Sequence, residues 1–163
     1  MRTTHWNTHE APSVRYGSLK IPLAAQRDVD AAFTYLSRDP VERSLIERVE
    51  RSRTPHRIAI DHHGDDSYQP STHTIRWDPH SALLTTAGGR QSPALGLGHE
   101  LDHAAENPRA YDRLQDTYDY AFDSAEERRV IVGSERHAAL TLRESIRRDH
   151  DGALYRVPAP VLR

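Results

Sequence analysis

His99-Glu100-Leu101-Asp102-His103 spells H-E-x-x-H. On a helix of 3.6 residues per turn, positions four apart lie one turn apart, about 40° from eclipsed. Two imidazoles placed this way can bind one metal ion. The carboxylate of Glu100, next to the first imidazole, is then within reach of a proton on water at that metal. The chemistry this suits is hydrolysis, as on the active helix of zinc peptidases. In a chain with 11 His the motif would arise by chance in roughly 4% of cases, so its context has to decide. It sits in a stretch that reads as a helix, with strands upstream. Leu95, Leu101 and Ala104 offer packing positions around it, and Gly96 and Gly98 allow another element to approach closely. The bland alternative is two surface histidines on an amphipathic helix.

A catalytic zinc held by two His usually takes a carboxylate as its third protein ligand. The residues after His103 are Ala104-Ala105-Glu106-Asn107-Pro108-Arg109, which excludes the continuation with a third His. The best candidates lie in Ser124-Ala125-Glu126-Glu127-Arg128-Arg129-Val130-Ile131-Val132-Gly133. Glu127 is preferred and Glu126 comes next, with Asp119, Asp123 and Glu135 behind them. Each has a simpler reading. Ser124 and Glu127 have the spacing of a capping box, and Glu126 would also suit a first helical turn as a dipole-compensating acid.

The elements that must position these residues follow from periodicity. Residues 1–18 are polar and aperiodic and read as a flexible leader, with a single domain over 19–163. Ala24, Ala25, Val29, Ala32, Phe33 and Leu36 predict a helix from Leu23 to Ser37. Pro40 starts a second helix that ends near Arg53. Strands are expected over Arg57 to Asp61 and Thr72 to Trp77, joined by a polar turn at His62-His63-Gly64-Asp65-Asp66. Trp77 is expected in the core. The motif helix should run from Pro93 to Glu106, stopped by Asn107-Pro108. Residues 109–123 resist assignment. Ser124 opens a further helix, a last helix is expected from Glu135 to Arg148, and Leu154 to Val157 reads as a terminal strand. The fold class expected is α+β, a minimal zincin-like domain with a small sheet, an active-site helix and packed C-terminal helices.

Composition removes several classes. With no cysteine, disulfide scaffolds, thiolate zinc sites, iron–sulfur clusters and cysteine nucleophiles are out. A net charge of −2 argues against a general nucleic-acid binder. No apolar run is long enough to span a bilayer, and the first residues lack the apolar stretch of a secretory signal. Lys20 is the only lysine among 22 basic residues. Genome composition accounts for this, and so does selection in a ubiquitin-rich host cell. Arg128-Arg129 and Arg147-Arg148 read as solvated helix faces.

Three runs carry a resemblance. They are Gly98-His99-Glu100-Leu101-Asp102-His103-Ala104, the Glu126 to Gly133 run, and Arg147-Arg148-Asp149-His150-Asp151-Gly152-Ala153-Leu154-Tyr155. In this order they resemble the small zinc metalloprotease effectors of type III secretion, the NleD-like family that includes the XopG-type effectors of plant-pathogenic bacteria. The resemblance covers roughly residues 56 to 157 and leaves the leader unmatched. A more distant similarity is to the clostridial neurotoxin light chains, where the second Glu of a Glu-Glu-x-Arg run binds zinc. It implies zinc held by His99, His103 and Glu127, with Glu100 as the base. Tyr155 is implied as the donor to the tetrahedral intermediate, ahead of Arg147 and His150. It further implies a gluzincin-like fold, export by the type III system from the bacterial cytoplasm into a host cell, and cleavage of a host signalling protein. A secretion chaperone is the other expected partner, and the chain is expected to act as a monomer.

Two other functions compete. One is a non-catalytic, zinc-stabilised module that binds a host protein, or a pseudo-enzyme. Glu100 tells against it, because a structural site needs no base there. The other is a helical interaction domain without metal.

Overall fold

The computed structural model describes residues 11–162. The first ten residues of the expected leader lie outside that range. Within the remainder of it, Ser13–Tyr16 forms a strand. β1 (Ser13–Tyr16) pairs antiparallel with β2 (Leu19–Pro22), with Val14 opposite Ile21. Gly17 turns the hairpin at φ +58°, and a Cβ there would lie 2.2 Å from the Glu50 carbonyl oxygen. Only glycine fits such a turn, and the fully buried Leu19 and Ile21 draw the hairpin into the core.

A 3-10 turn leads into α1 (Gln26–Leu36), and α2 (Pro40–Glu50) follows where the periodicity places it. The Asp39 side chain caps α2, accepting from the Val41 and Glu42 amides at 2.9 and 3.0 Å. Three strands follow: β3 (His56–Ile60), β4 (Ser67–Gln69) and β5 (Thr74–Trp77). They join the hairpin in one mixed sheet of order β1-β2-β3-β5-β4, parallel across β2-β3 and β3-β5. β6 (Ser81–Thr85) and β7 (Arg90–Gln91) lead into α3 (Pro93–Ala105). After α3 come α4 (Pro108–Gln115), the short hairpin β8 (Tyr118–Asp119) and β9 (Asp123–Ser124), and α5 (Ala125–Val130). A wide helical turn kinked at Gly133 joins α5 to α6 (Arg136–Leu142). β10 (Gly152–Arg156) then returns to pair with β6 in a second sheet of order β10-β6-β7. The class is α+β.

Helix α3 is buried on nearly every side. Leu95, Leu97 and Leu101 are fully buried among Ile75 and Trp77 of β5, Val29 and Leu36 of α1, and Val49 of α2. The core position expected for Trp77 is correct, and its indole N–H donates to the Pro93 carbonyl at 2.8 Å. That bond ties the end of β5 to the first turn of α3. Ser92 caps the helix through the Leu95 amide, and Pro93 suits its first position. The chain then cannot continue helically into Pro108, and Asn107 caps α4 instead.

Gly98 meets α2. A Cβ there would lie 2.5 Å from Glu42 Oε2. Glu42 is fully buried, and neither of its side-chain oxygens has a hydrogen-bond partner. Burial first, then the charges of Asp102, Asp39 and Glu135, push its carboxyl up to about 8. An acid raised in this way favours folding below its unfolded pKa, and that contribution is lost as pH rises through the folded value. The wild type is therefore expected to lose up to about 1.4 kcal/mol of unfolding free energy per pH unit from this residue between roughly pH 4.5 and 8. Glu42→Gln should remove that slope. Urea unfolding at pH 5 and pH 8 checks it: the variant should gain on the wild type at the higher pH, and equal losses in both would refute the assignment.

The last expected helix is shorter than its pattern suggested. It stops at Leu142, where Arg143 adopts φ +62°, and Ser145 N–H pairs with the Arg90 carbonyl of β7. A distant strand has captured the backbone that would have extended the helix.

Candidate metal centre

A helix buried all round must satisfy its polar side chains with protein partners. Four of them, His99, Glu100, Asp102 and His103, are at most 6% exposed. The two imidazoles point the same way. His99 Nε2 and His103 Nε2 lie 3.0 Å apart. Glu127 closes the group from α5, with Oε2 2.9 Å from His99 Nε2 and Oε1 3.2 Å from His103 Nε2. One ligand atom from each residue lies within 4.8 Å of the others. For ligands bound at 2.0–2.1 Å, a tetrahedral site has edges of roughly 3.3 Å. The donor set is two imidazole nitrogens and a carboxylate, at nearly that spacing, and it is suited to hold a metal ion.

The far nitrogens decide which atoms are free to ligate. His99 Nδ1 lies 2.8 Å from Glu135 Oε2, and His103 Nδ1 lies 2.9 Å from Glu126 Oε1. A carboxylate can only accept, so each Nδ1 carries hydrogen and donates it. Both Nε2 atoms are thereby directed at Glu127 and at each other, which is how outer carboxylates orient metal-binding histidines. The carboxylates also favour positive charge here. Burial is the strongest influence on both rings and opposes their charge, yet Glu127 and Glu135 hold His99 well above the ordinary imidazole range, and Glu126 and Glu127 raise His103. Glu127 itself is held far below the carboxylate range. Burial raises it, but hydrogen bonds from His103, His150 and His99 outweigh that.

The capping-box reading of Ser124 and Glu127 is half right. The Ser124 hydroxyl accepts from the Glu127 amide at 3.2 Å, while the Glu127 side chain turns to the histidines. Glu126 and Glu135, ranked behind Glu127 as third ligand, instead grip the far side of the two rings. Asp119 accepts from the Ala121 and Phe122 amides and Arg128, and Asp123 accepts from His150.

A cleft of about 230 Å3 reaches this group, lined among others by His99, Glu100, Asp66, Arg147 and His150. Glu100 makes no hydrogen bond or ion pair among the described residues, and burial raises its carboxyl. Asp66 is pushed up to about 8, chiefly by burial, even though its carboxylate accepts from the Asp78 amide. His150, which also lines the cleft, has Nε2 3.4 Å from Glu127 Oε2 and Nδ1 2.7 Å from Asp123. Arg147 Nη1 is 3.4 Å from Glu135 and its Nη2 donates to the His150 carbonyl.

Tyr155 does not join them. Gly152 and Leu154 of β10 line the cleft, and successive strand residues face opposite ways, so Tyr155 faces away. Its hydroxyl is buried without a hydrogen-bond partner. Among the three candidates for the donor role, Arg147 and His150 line this cleft and Tyr155 does not. Two of the four arginines read as solvated are also not so. Arg129 and Arg147 are engaged with carboxylates around the group, with side chains 29% and 11% exposed.

No protein-family model, curated protein or solved structure matches this chain. No helix among the described residues is long and apolar enough to cross a membrane.

Proposed function

We propose that the chain is a zinc-dependent endopeptidase. The observation that carries this reading is the His99–His103–Glu127 group, with both far imidazole nitrogens anchored by carboxylates and a cleft reaching it at His99. A site serving structure alone tends to fill its fourth position with protein. Here a cleft is present, and an unpaired carboxyl, Glu100, lines it. Zinc fits the donor set, held by His99, His103 and Glu127. When bound, it would lower the pKa of a water molecule and polarise a scissile carbonyl.

The chain's own residues do the rest. Glu100 takes the proton from the attacking water and passes it to the leaving amine. His150 and Arg147, which line the same cleft, donate to the oxygen on which negative charge develops. Glu126 and Glu135 keep the two imidazoles in the ligating orientation.

The resemblance of the three sequence runs to NleD-like effectors supports the finer reading. It adds a zincin-like domain, delivery through a type III system into a host cell, and a host signalling protein as substrate. His150 in place of the family's tyrosine departs from that pattern.

Elemental mass spectrometry of the purified chain tests the core of the proposal. The expected result is one zinc per chain, lost in His103→Ala and kept in Glu100→Ala. A folded wild type that takes up no zinc after incubation with it would overturn the proposal.

A further inference from the structure

Arg129 stands one helical turn after Glu126 on α5. Its guanidinium grips that carboxylate with two bonds, Nε to Oε2 at 2.9 Å and Nη2 to Oε1 at 2.7 Å. Its third nitrogen, Nη1, donates to Asp102 Oδ1 at 2.8 Å, and Glu106 Oε2 lies 3.4 Å from Nε. Asp102 and Glu106 belong to the α3 side, Asp102 being one of the two variable residues of the H-E-x-x-H motif. The other Asp102 oxygen receives the Ser134 hydroxyl, just past the kink at Gly133. Glu126 Oε1, fixed by Arg129, is the same oxygen that accepts the His103 Nδ1–H. One side chain therefore reaches a ligating histidine through a single carboxylate and also holds the helix that carries Glu127.

We propose that Arg129 is a positioning residue of the metal centre, setting the plane of the His103 ring through Glu126 and the placement of Glu127 through Asp102. The proposal rests on the metal-binding reading of the His99–His103–Glu127 group. The forked geometry matters. A guanidinium can bind both oxygens of Glu126 and still reach Asp102, whereas an ammonium is a point charge that cannot hold all three at once. Without the fork, the Glu126 carboxylate is free to turn away from His103, and outer partners of this kind are worth about 10- to 100-fold in metal affinity.

The test uses the full chain and four variants: Arg129→Lys, Arg129→Met, Glu126→Gln and the Arg129→Met/Glu126→Gln double. Zinc affinity is measured by competition with a chromophoric chelator, and the ligand field by the visible absorption of the cobalt-loaded protein. Arg129→Met and Glu126→Gln should each weaken zinc by about 10- to 100-fold. The double should lose clearly less than the product of the two single losses, because the Arg129–Glu126 contact is shared by both while the Asp102 contact belongs to Arg129 alone. Arg129→Lys keeps the charge and guards against a variant that fails to fold. It should also weaken zinc and shift the cobalt spectrum. Losses that multiply in the double would overturn the proposal, as would wild-type zinc affinity and an unchanged cobalt spectrum in Arg129→Lys. A wild type that binds neither metal would instead remove the metal centre itself.

Discussion

Glu100→Gln is expected to keep its zinc and to lose peptide hydrolysis by about 10²- to 10⁴-fold, the range for removing a general acid–base group. The substitution is nearly isosteric. Glu100 points into the cleft and contacts no partner among the described residues, so the amide breaks no hydrogen bond or ion pair there. Burial already favours the neutral form of Glu100, and an amide is neutral. The variant should thus fold at least as well as the wild type. What it cannot do is accept a proton. The ligating atoms of His99, His103 and Glu127 are untouched, so zinc content should be unchanged. The measurement is zinc per chain together with the rate of cleavage of a protein or peptide substrate that the wild type cuts. Retained zinc with retained activity would show that another group moves the proton. Asp66, on the same cleft, would be the first to examine. Zinc lost together with activity would mean that Glu100 supports the metal rather than the proton transfer.

The parts of this centre that lie within one element were legible before the fold was known. Helical periodicity alone places His99 and His103 on one face, and Ser124 marks the start of α5 and so of Glu127. The misplacements all depend on contacts between distant segments. Glu135 and Ser134 reach α3 because the backbone bends at Gly133, whose φ of −99° and ψ of −107° are not helical. A helix running straight through Gly133 would carry them elsewhere, and two helices read separately from sequence say nothing of the angle between them. Arg129 looks like any surface arginine in sequence, because its three carboxylate neighbours come from positions 102, 106 and 126. The expectation for Tyr155 rests on resemblance, and side chains alternate faces at every residue of a strand, so a single step separates the cleft face from its opposite. β6 is hard to see in the sequence for a similar reason. Its pairing partner Gly152–Arg156 lies some seventy residues further along the chain, and neither strand alternates strongly by itself. The polar composition of β1 hides it in the sequence, since its partner β2 supplies the buried residues.

The second large effect separates two adjacent carboxylates that sequence left in competition. Glu127→Gln should abolish stoichiometric zinc binding, while Glu126→Gln should only weaken it, by about 10- to 100-fold. The structural basis is which nitrogen each acid faces. Glu127 faces both Nε2 atoms, at 2.9 and 3.2 Å. Glu126 faces Nδ1 of His103, on the far side of the ring. An amide at 127 brings no negative charge to the cation, and its NH2 group can point hydrogens at the ligating nitrogens. An amide at 126 can still accept the His103 N–H through its carbonyl oxygen, so the ring keeps its orientation and loses only part of its basicity. Equilibrium dialysis against buffered free zinc, followed by elemental analysis, reads both variants on one scale. Circular dichroism of each confirms that the fold is retained. If Glu126→Gln lost the metal and Glu127→Gln kept it, α5 would present its carboxylates in the opposite order. His103 would then have to ligate through Nδ1, and the orientation derived for both rings would be wrong.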